Sequence, residues 1–341
     1  MKTAAAFALG LGLLLPGATG MAQSTTESPT WPAWLAEFKT EAAAAGIDQA
    51  ILDRAFAGVE PVKRIVERDR HQGEFKLTFA DYLDRVVKPQ VIARGRELGR
   101  RHGDLLRRVA DKYGVQPRFI LAIWGIETRF GRVRGTMPVI PALATLAWDM
   151  RRSKFFRNEL MSALQMLQHG YIELADMTGS WAGAMGQPQF IPSSYMAYAQ
   201  DFDGDGHRDI WRNQGDVFAS IANYLARQGW SDDQTWGREV RLPAGFAATV
   251  ATLGRKPGSG CRAIDAMTAD KPLSAWQAMG VRRDDGRDLP SRDLAAALVQ
   301  PDGAGGRSFL VYRNYQSILR YNCAHLYGLT VGILADRIGA G

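Results

Sequence analysis

Cysteine is almost missing from this chain. Its 341 residues include only Cys261 and Cys323, so at most one disulfide can form within it. The sequence alone does not give their separation, and two free buried thiols fit it equally well. Long apolar runs are also missing. After residue 23 no stretch approaches the roughly 20 apolar residues of a membrane-spanning helix. No internal repeat is found, which sets aside repeat architectures. No cysteine directly follows the one N-terminal apolar run, which argues against a lipid-anchored form.

That run belongs to MKTAAAFALGLGLLLPGATGMAQ. Lys2 supplies the positive start, Ala4 to Leu15 the short apolar stretch, and Gly20-Met21-Ala22 the small residues before Gln23. This is the pattern of a cleavable signal peptide over residues 1–22, so the mature chain is expected outside the cytoplasm, in the periplasm. Export also permits a Cys261–Cys323 disulfide. The formal charge is +7, and loss of Lys2 leaves +6. A basic surface suits an anionic partner. Export argues against nucleic acid and favours an acidic envelope polymer.

Composition is otherwise that of a globular protein, with 46% hydrophobic and 23% charged residues. A polar linker over 23–31 is followed by helical periodicity over 32–114. Phe79, Tyr82, Leu83 and Val86 fall on one helix face. A further helix through Leu105, Leu106 and Val109 ends towards Tyr113, with Gly114 as its cap. Residues 115–234 stay mostly helical and are denser in Gly, Trp and Met. Residues 235–313 change character: segments beginning at Val240, Ala247 and Ser308 read as short strands between Gly- and Pro-rich turns. From 314 to 341 the pattern returns to helix. The fold class expected is mainly α with a small β-containing insert.

Val115 to Gly131 reads as one helix, with Pro117 at its first position and Gly131 at its end. Glu127 lies three residues after Trp124, four after Ile123, seven after Ile120 and three before Phe130, which places it on the apolar face. Burial makes such a carboxylate expensive to ionise and keeps it protonated near neutrality, the state a general acid needs. On helix geometry alone, a buried Glu paired with Arg129 or Arg132 is the stronger reading.

Four segments alter that balance: Tyr82-Leu-Asp-Arg-Val-Val, Trp124-Gly-Ile-Glu-Thr-Arg-Phe-Gly, Ser180-Trp-Ala-Gly-Ala-Met-Gly-Gln-Pro-Gln-Phe-Ile-Pro-Ser-Ser-Tyr and Arg320-Tyr-Asn. In order and spacing they resemble the type B lytic murein transglycosylases, the MltB-like peptidoglycan lyases, across essentially the whole mature chain. The resemblance implies a lysozyme-like helical core, an N-terminal helical domain and a small inserted β domain. It implies cleavage of the β-1,4 bond between N-acetylmuramic acid and N-acetylglucosamine with formation of a 1,6-anhydro sugar. It puts the catalytic acid at Glu127, and sugar contacts at Ser180, Gln189, Tyr224, Tyr321 and Asn322. Taken singly, Ser180 reads as a helix cap and the two tyrosines as core. The family often carries Tyr-Gly where Gln187-Pro188 stand here, which bears on fine substrate preference.

Most glycosidases need a second carboxylate. None stands in an equally specific motif here; Glu159, Glu173 and Asp176 read as surface charges on helical stretches. An intramolecular C6 hydroxyl removes that need, since its effective concentration is very high. No cofactor is then required for the chemistry. A hydrolytic muramidase and a non-catalytic peptidoglycan-binding scaffold are the competing readings. Cell-wall synthases are candidate partners and a monomer is expected.

Asp201-Phe-Asp-Gly-Asp-Gly-His-Arg-Asp follows the first nine positions of a calcium loop. Asp201, Asp203, Asp205 and Asp209 supply side-chain oxygens and His207 its carbonyl. Arg212 stands where a bidentate Glu belongs, and Asp216 is the candidate substitute. The spacing favours a weak structural calcium site over a metal-free Asp/Gly turn.

Overall fold

The computed structural model describes residues 29–70, 77–149 and 152–340. The expected signal peptide and residues 23–28 of the expected linker lie outside them, and Trp31, the last residue of that linker, already begins a helix. Contacts divide the chain into two units, and the division falls inside two helices, at 126/127 and 221/222.

The first unit holds residues 29–70 and 127–221. Its helices are α1 (Trp31–Ala44), α2 (Gln49–Ala55) and α3 (Lys63–Arg70), then, after the segments of the second unit, α8 (Val139–Trp148), α9 (Ser153–Gln168), α10 (Pro192–Tyr198) and the start of α11 (Gln214–Arg227). Helix α8 (VIPALATLAW) is apolar all round and correspondingly buried all round. It packs on α9 and α3, and α9 also receives α2 and α10. Trp31, Trp34 and Phe38 of α1 form a stack, with ring centroids 5.2 and 5.4 Å apart. Two short strands, β1 (Met137–Pro138) and β2 (Thr178–Gly179), pair antiparallel, Met137 opposite Gly179.

The second unit holds 77–126 and 222–340. Helices α4 (Phe79–Val86), α5 (Pro89–Arg101), α6 (Gly103–Tyr113) and most of α7 (Pro117–Thr128) come first. Phe79, Tyr82 and Leu83 are buried as the spacing predicts. Gly114 caps α6 in the left-handed conformation, φ 67°. Strands β3 (Gly237–Arg241), β4 (Lys271–Pro272), β5 (Arg282–Arg283), β6 (Ala295–Val299) and β7 (Ser308–Val311) form one antiparallel sheet in the order β4-β6-β7-β3-β5. Short helices α12 (Ala247–Ala251), α13 (Arg262–Asp265) and α14 (Leu273–Ala278) punctuate it. Trp276, Leu298, Leu310 and Tyr312 are central to its core.

Two expectations change here. The segment beginning at Ala247 is helix α12 rather than a strand. Phe246, Val250 and Leu253 face the sheet core at helical spacing, and alanine favours helix strongly. The helical tail is two helices, α15 (Arg313–Tyr321) and α16 (His325–Gly339). The break falls at Asn322, whose backbone is extended, and Cys323, which is bonded to Cys261 with 5.6 Å between Cα atoms. The open question of the two cysteines is thus resolved as a disulfide.

Candidate active site

Glu127 is the next-to-last residue of α7 and is half-buried. The helix stops one residue later, before the Gly131 expected from sequence. Arg129, Phe130 and Gly131 all take left-handed φ, at 50°, 59° and 77°. Thr128, fully buried, accepts a hydrogen bond from the Gly131 N–H at 3.1 Å and donates to the Gln187 carbonyl at 3.0 Å. The end of α7 is thereby tied to the loop that carries the longest motif.

That loop folds back twice, bridging Gly179 to Met185 and Met185 to Phe190. Close backbone approach requires glycine at one end: a Cβ on Gly179 would lie 2.2 Å from the Ala184 carbonyl oxygen. Ser180 is half-exposed, and its Oγ accepts the N–H groups of Ala184 at 3.0 Å and Ala182 at 3.3 Å. Its local role is a turn within the loop, not the helix cap considered from sequence. Gln189 has φ 55°, and its Nε2 donates to the carbonyls of Gly186 at 2.9 Å and Arg134 at 3.1 Å. Glu127, Ser180 and Gln189 belong to the first unit.

Tyr224, Tyr321 and Asn322 belong to the second. The Tyr224 and Tyr321 rings lie 4.7 Å apart, and the Tyr224 hydroxyl donates to the Arg320 carbonyl at 2.6 Å. Asn322 is 7% exposed, and its Oδ1 has no hydrogen-bond partner among the described residues. A buried amide oxygen left in that state is suited to a donor from outside the protein.

The Asp-rich loop precedes α11. The carboxylates of Asp201, Asp203 and Asp205 converge, with oxygens within 4.8 Å of one another. Asp201 also accepts the N–H groups of Gly204 at 2.7 Å and Gly206 at 2.8 Å. Partial burial works against its ionisation, but these N–H donors win and hold its carboxyl below the usual range. His207 is exposed, and its N–H binds Asp205. Asp209 and Asp216 stand apart from the trio. Asp209 Oδ1 accepts the N–H groups of Trp211 and Arg212, each at 2.9 Å. Asp216, fully buried, accepts those of Phe202 at 2.8 Å and Asp209 at 2.7 Å, and burial pushes it up to about 6. Arg212 turns away to Asp176 at 2.7 Å. Beside the loop opens a cavity of about 510 Å³, with Arg134, Tyr171, Asp176 and Trp211 in its wall.

Of the other carboxylates, Glu159 is not the surface charge expected. It is 3% exposed and binds the Ser193 N–H at 2.9 Å and hydroxyl at 2.7 Å, at the start of α10. Burial raises its pKa against those two bonds. Glu173 and Asp176 are exposed as expected, in the turn after α9 rather than in a helix. Sequence reasoning missed Thr128 and Gln187 as structural partners in this region; nothing but adjacence to the two motifs pointed to them.

Residues 30–336 match the transglycosylase SLT domain family. The chain is 33% identical over 264 residues to the membrane-bound lytic murein transglycosylase B of Escherichia coli (strain K12), an alignment covering 75% of this chain and 66% of that protein, just under two thirds of it. The crystal structure of SltB3 from Pseudomonas aeruginosa in complex with NAG-anhNAM-pentapeptide superposes with a TM-score of 0.83 at 44% identity, over 91% of this chain and 80% of that one. The Escherichia coli lytic transglycosylase Slt35 in complex with calcium gives a TM-score of 0.73 at 27% identity, over 94% and 96%.

Proposed function

This chain belongs to the transglycosylase SLT domain family, and from that premise we propose that it is a lytic transglycosylase acting on peptidoglycan. The carrying observation is Glu127: a half-buried carboxyl at the end of α7, next to Thr128, which is bonded to the loop containing Ser180 and Gln189. Glu127 protonates the oxygen that leaves C1 of N-acetylmuramic acid as the β-1,4 bond breaks. It then accepts the proton of the C6 hydroxyl as O6 bonds to C1. The acid is regenerated, no water is consumed, and the product ends in a 1,6-anhydro ring. Both oxygens of the buried Glu159 are engaged by Ser193, which leaves that carboxylate in a structural role.

Ser180, Gln189, Tyr224, Tyr321 and Asn322 are proposed to contact sugar. The unpartnered Asn322 Oδ1 suits an acetamido N–H, and the Tyr224–Tyr321 ring pair suits an apolar sugar face. The finer division into an N-terminal helical domain, a lysozyme-like core and a β insert, with boundaries at 114, 234 and 313, belongs to the same proposal. The converging Asp201, Asp203 and Asp205 carboxylates fit a hard cation. With the His207 carbonyl they would hold calcium, which braces the loop between α10 and α11 and takes no part in the reaction. Asp209 and Asp216 support this loop through its N–H groups.

Export by the signal peptide would place the enzyme in the periplasm. Among the described residues no helix is long and apolar enough to cross a membrane. The test is digestion of purified sacculi followed by mass spectrometry. The native chain releases anhydro-muropeptides, and Glu127→Gln lowers their yield at least about 100-fold while still folding. Full activity of that variant refutes the assignment; release of reducing ends in place of anhydro ends points to a hydrolytic muramidase.

A further inference from the structure

The turn after Glu127 holds an arginine and a phenylalanine in left-handed backbone. Neither gains anything locally from that region, so contacts outside the turn must hold it. Thr128 supplies one such contact. Its hydroxyl is engaged on both sides, by the Gly131 N–H and by the Gln187 carbonyl.

Gln187 is itself anchored from several directions. It is 5% exposed. Its N–H donates to the Ile210 carbonyl at 2.9 Å, its Nε2 donates to the Trp211 carbonyl at 3.0 Å, and its Oε1 accepts from Gln214 Nε2 at 3.3 Å. Gly186 allows this approach, since a Cβ there would meet Ile210 at 2.7 Å. Pro188 follows and restricts the Gln187 backbone to extended conformations. Trp211 is in turn fixed by Asp209, which accepts the Trp211 and Arg212 N–H groups, and the Ile210 N–H donates to the Arg208 carbonyl. A buried polar chain therefore runs from the exit of the Asp-rich loop through Gln187 to Thr128, the residue next to Glu127.

We propose that Gln187 is a positioning residue for Glu127. Through Thr128 it sets the turn in which α7 ends, and so the direction of the carboxyl. The proposal rests on the reading of Glu127 as the acid. Its test uses the full chain with Gln187→Leu, Thr128→Val, the double variant and Thr128→Ser, assayed on soluble glycan strands. Each of the first two is expected to lower kcat by about tenfold or more, with KM changed less than about twofold. Because the two act in series, the double variant loses no more than the worse single one. Thr128→Ser keeps the hydroxyl and recovers most of the loss. Hydrogen exchange at the Gly131 amide should accelerate at least about tenfold in Gln187→Leu. Unchanged kcat in the folded variants, or losses that multiply in the double variant, overturns the proposal. If the native chain yields no anhydro product, the acid assignment fails on its own. Exchange at Gly131 then decides the link: acceleration supports it and an unchanged rate overturns it.

Discussion

Replacing Cys261 and Cys323 together by alanine should cost the second unit about 4 kcal/mol. The two are separated by 62 residues. A cross-link of that span withholds about 14 cal/mol/K from the unfolded chain in the loop-entropy model, or about 4 kcal/mol at 25 °C. The closed loop contains β4 to β7 and α13 to α15, most of the sheet and its core. Cys261 is 3% exposed, so the small cavity left by its sulfur adds to the loss rather than offsets it. Urea unfolding can be followed by tryptophan fluorescence, because Trp236 and Trp276 of this unit are nearly fully buried. With an m value near 3 kcal/mol/M, the midpoint should fall by more than about 1 M. Reduction of the native chain should reproduce the shift. A midpoint unchanged within about 0.3 M in both cases, at equal m, would refute the reasoning.

His325 donates to or accepts from the Tyr315 hydroxyl at 2.9 Å, and burial holds its pKa down to about 4 from 6.5. The unfolded chain then binds the proton first, so the stability His325 carries is present above pH 6.5 and is lost as pH falls towards 4. The loss is at most about 3 kcal/mol; His325→Gln should flatten the pH dependence of Tm in that window, and an unaltered slope would count against it. Gly332 packs on the Trp236 ring, where a Cβ would sit 2.2 Å from a ring carbon. Gly332→Ala should therefore lower stability by about 2 kcal/mol, and a wild-type Tm would contradict this. Millimolar calcium should stabilise the native chain by about 1 to 3 kcal/mol. Asp203→Asn with Asp205→Asn should abolish the effect, and no shift in the native chain would leave the loop as a metal-free turn.

Much of the fold is legible where a local rule agrees with burial. Gly114 caps α6, Pro117 opens α7, and the α4 pattern matches its buried face. Strand β7 follows from its apolar, β-branched and aromatic run. Strand β6 does not: after the exposed Ala295, Ala296 to Val299 are buried on both faces, so they show no alternation, and alanine carries little strand preference. The same residue type misdirects the reading at Ala247, where helical spacing decides. Glu159 looks solvated because its partner Ser193 is remote in sequence, and the Cys261–Cys323 pairing is equally non-local. Within the site, Glu127, Ser180 and Gln189 stand out through their motifs. The bonds that join them run through Thr128 and backbone carbonyls, which carry no sequence signature.

The left-handed turn after Glu127 is a point of local frustration. Two non-glycine residues held there cost about 1 to 2 kcal/mol each, and isolated from their surroundings they would relax. A peptide spanning 115–131 could form a helix with a glutamate on it, yet it would lack the Gln187 carbonyl that secures the turn. The placement of Glu127, the proposed acid, is therefore an achievement of the completed first unit and not of helix α7. Any partly folded form in which that loop has not docked would carry the right residue in the wrong geometry. If Glu127 is the acid, an enzyme of this design becomes competent only once folding is finished.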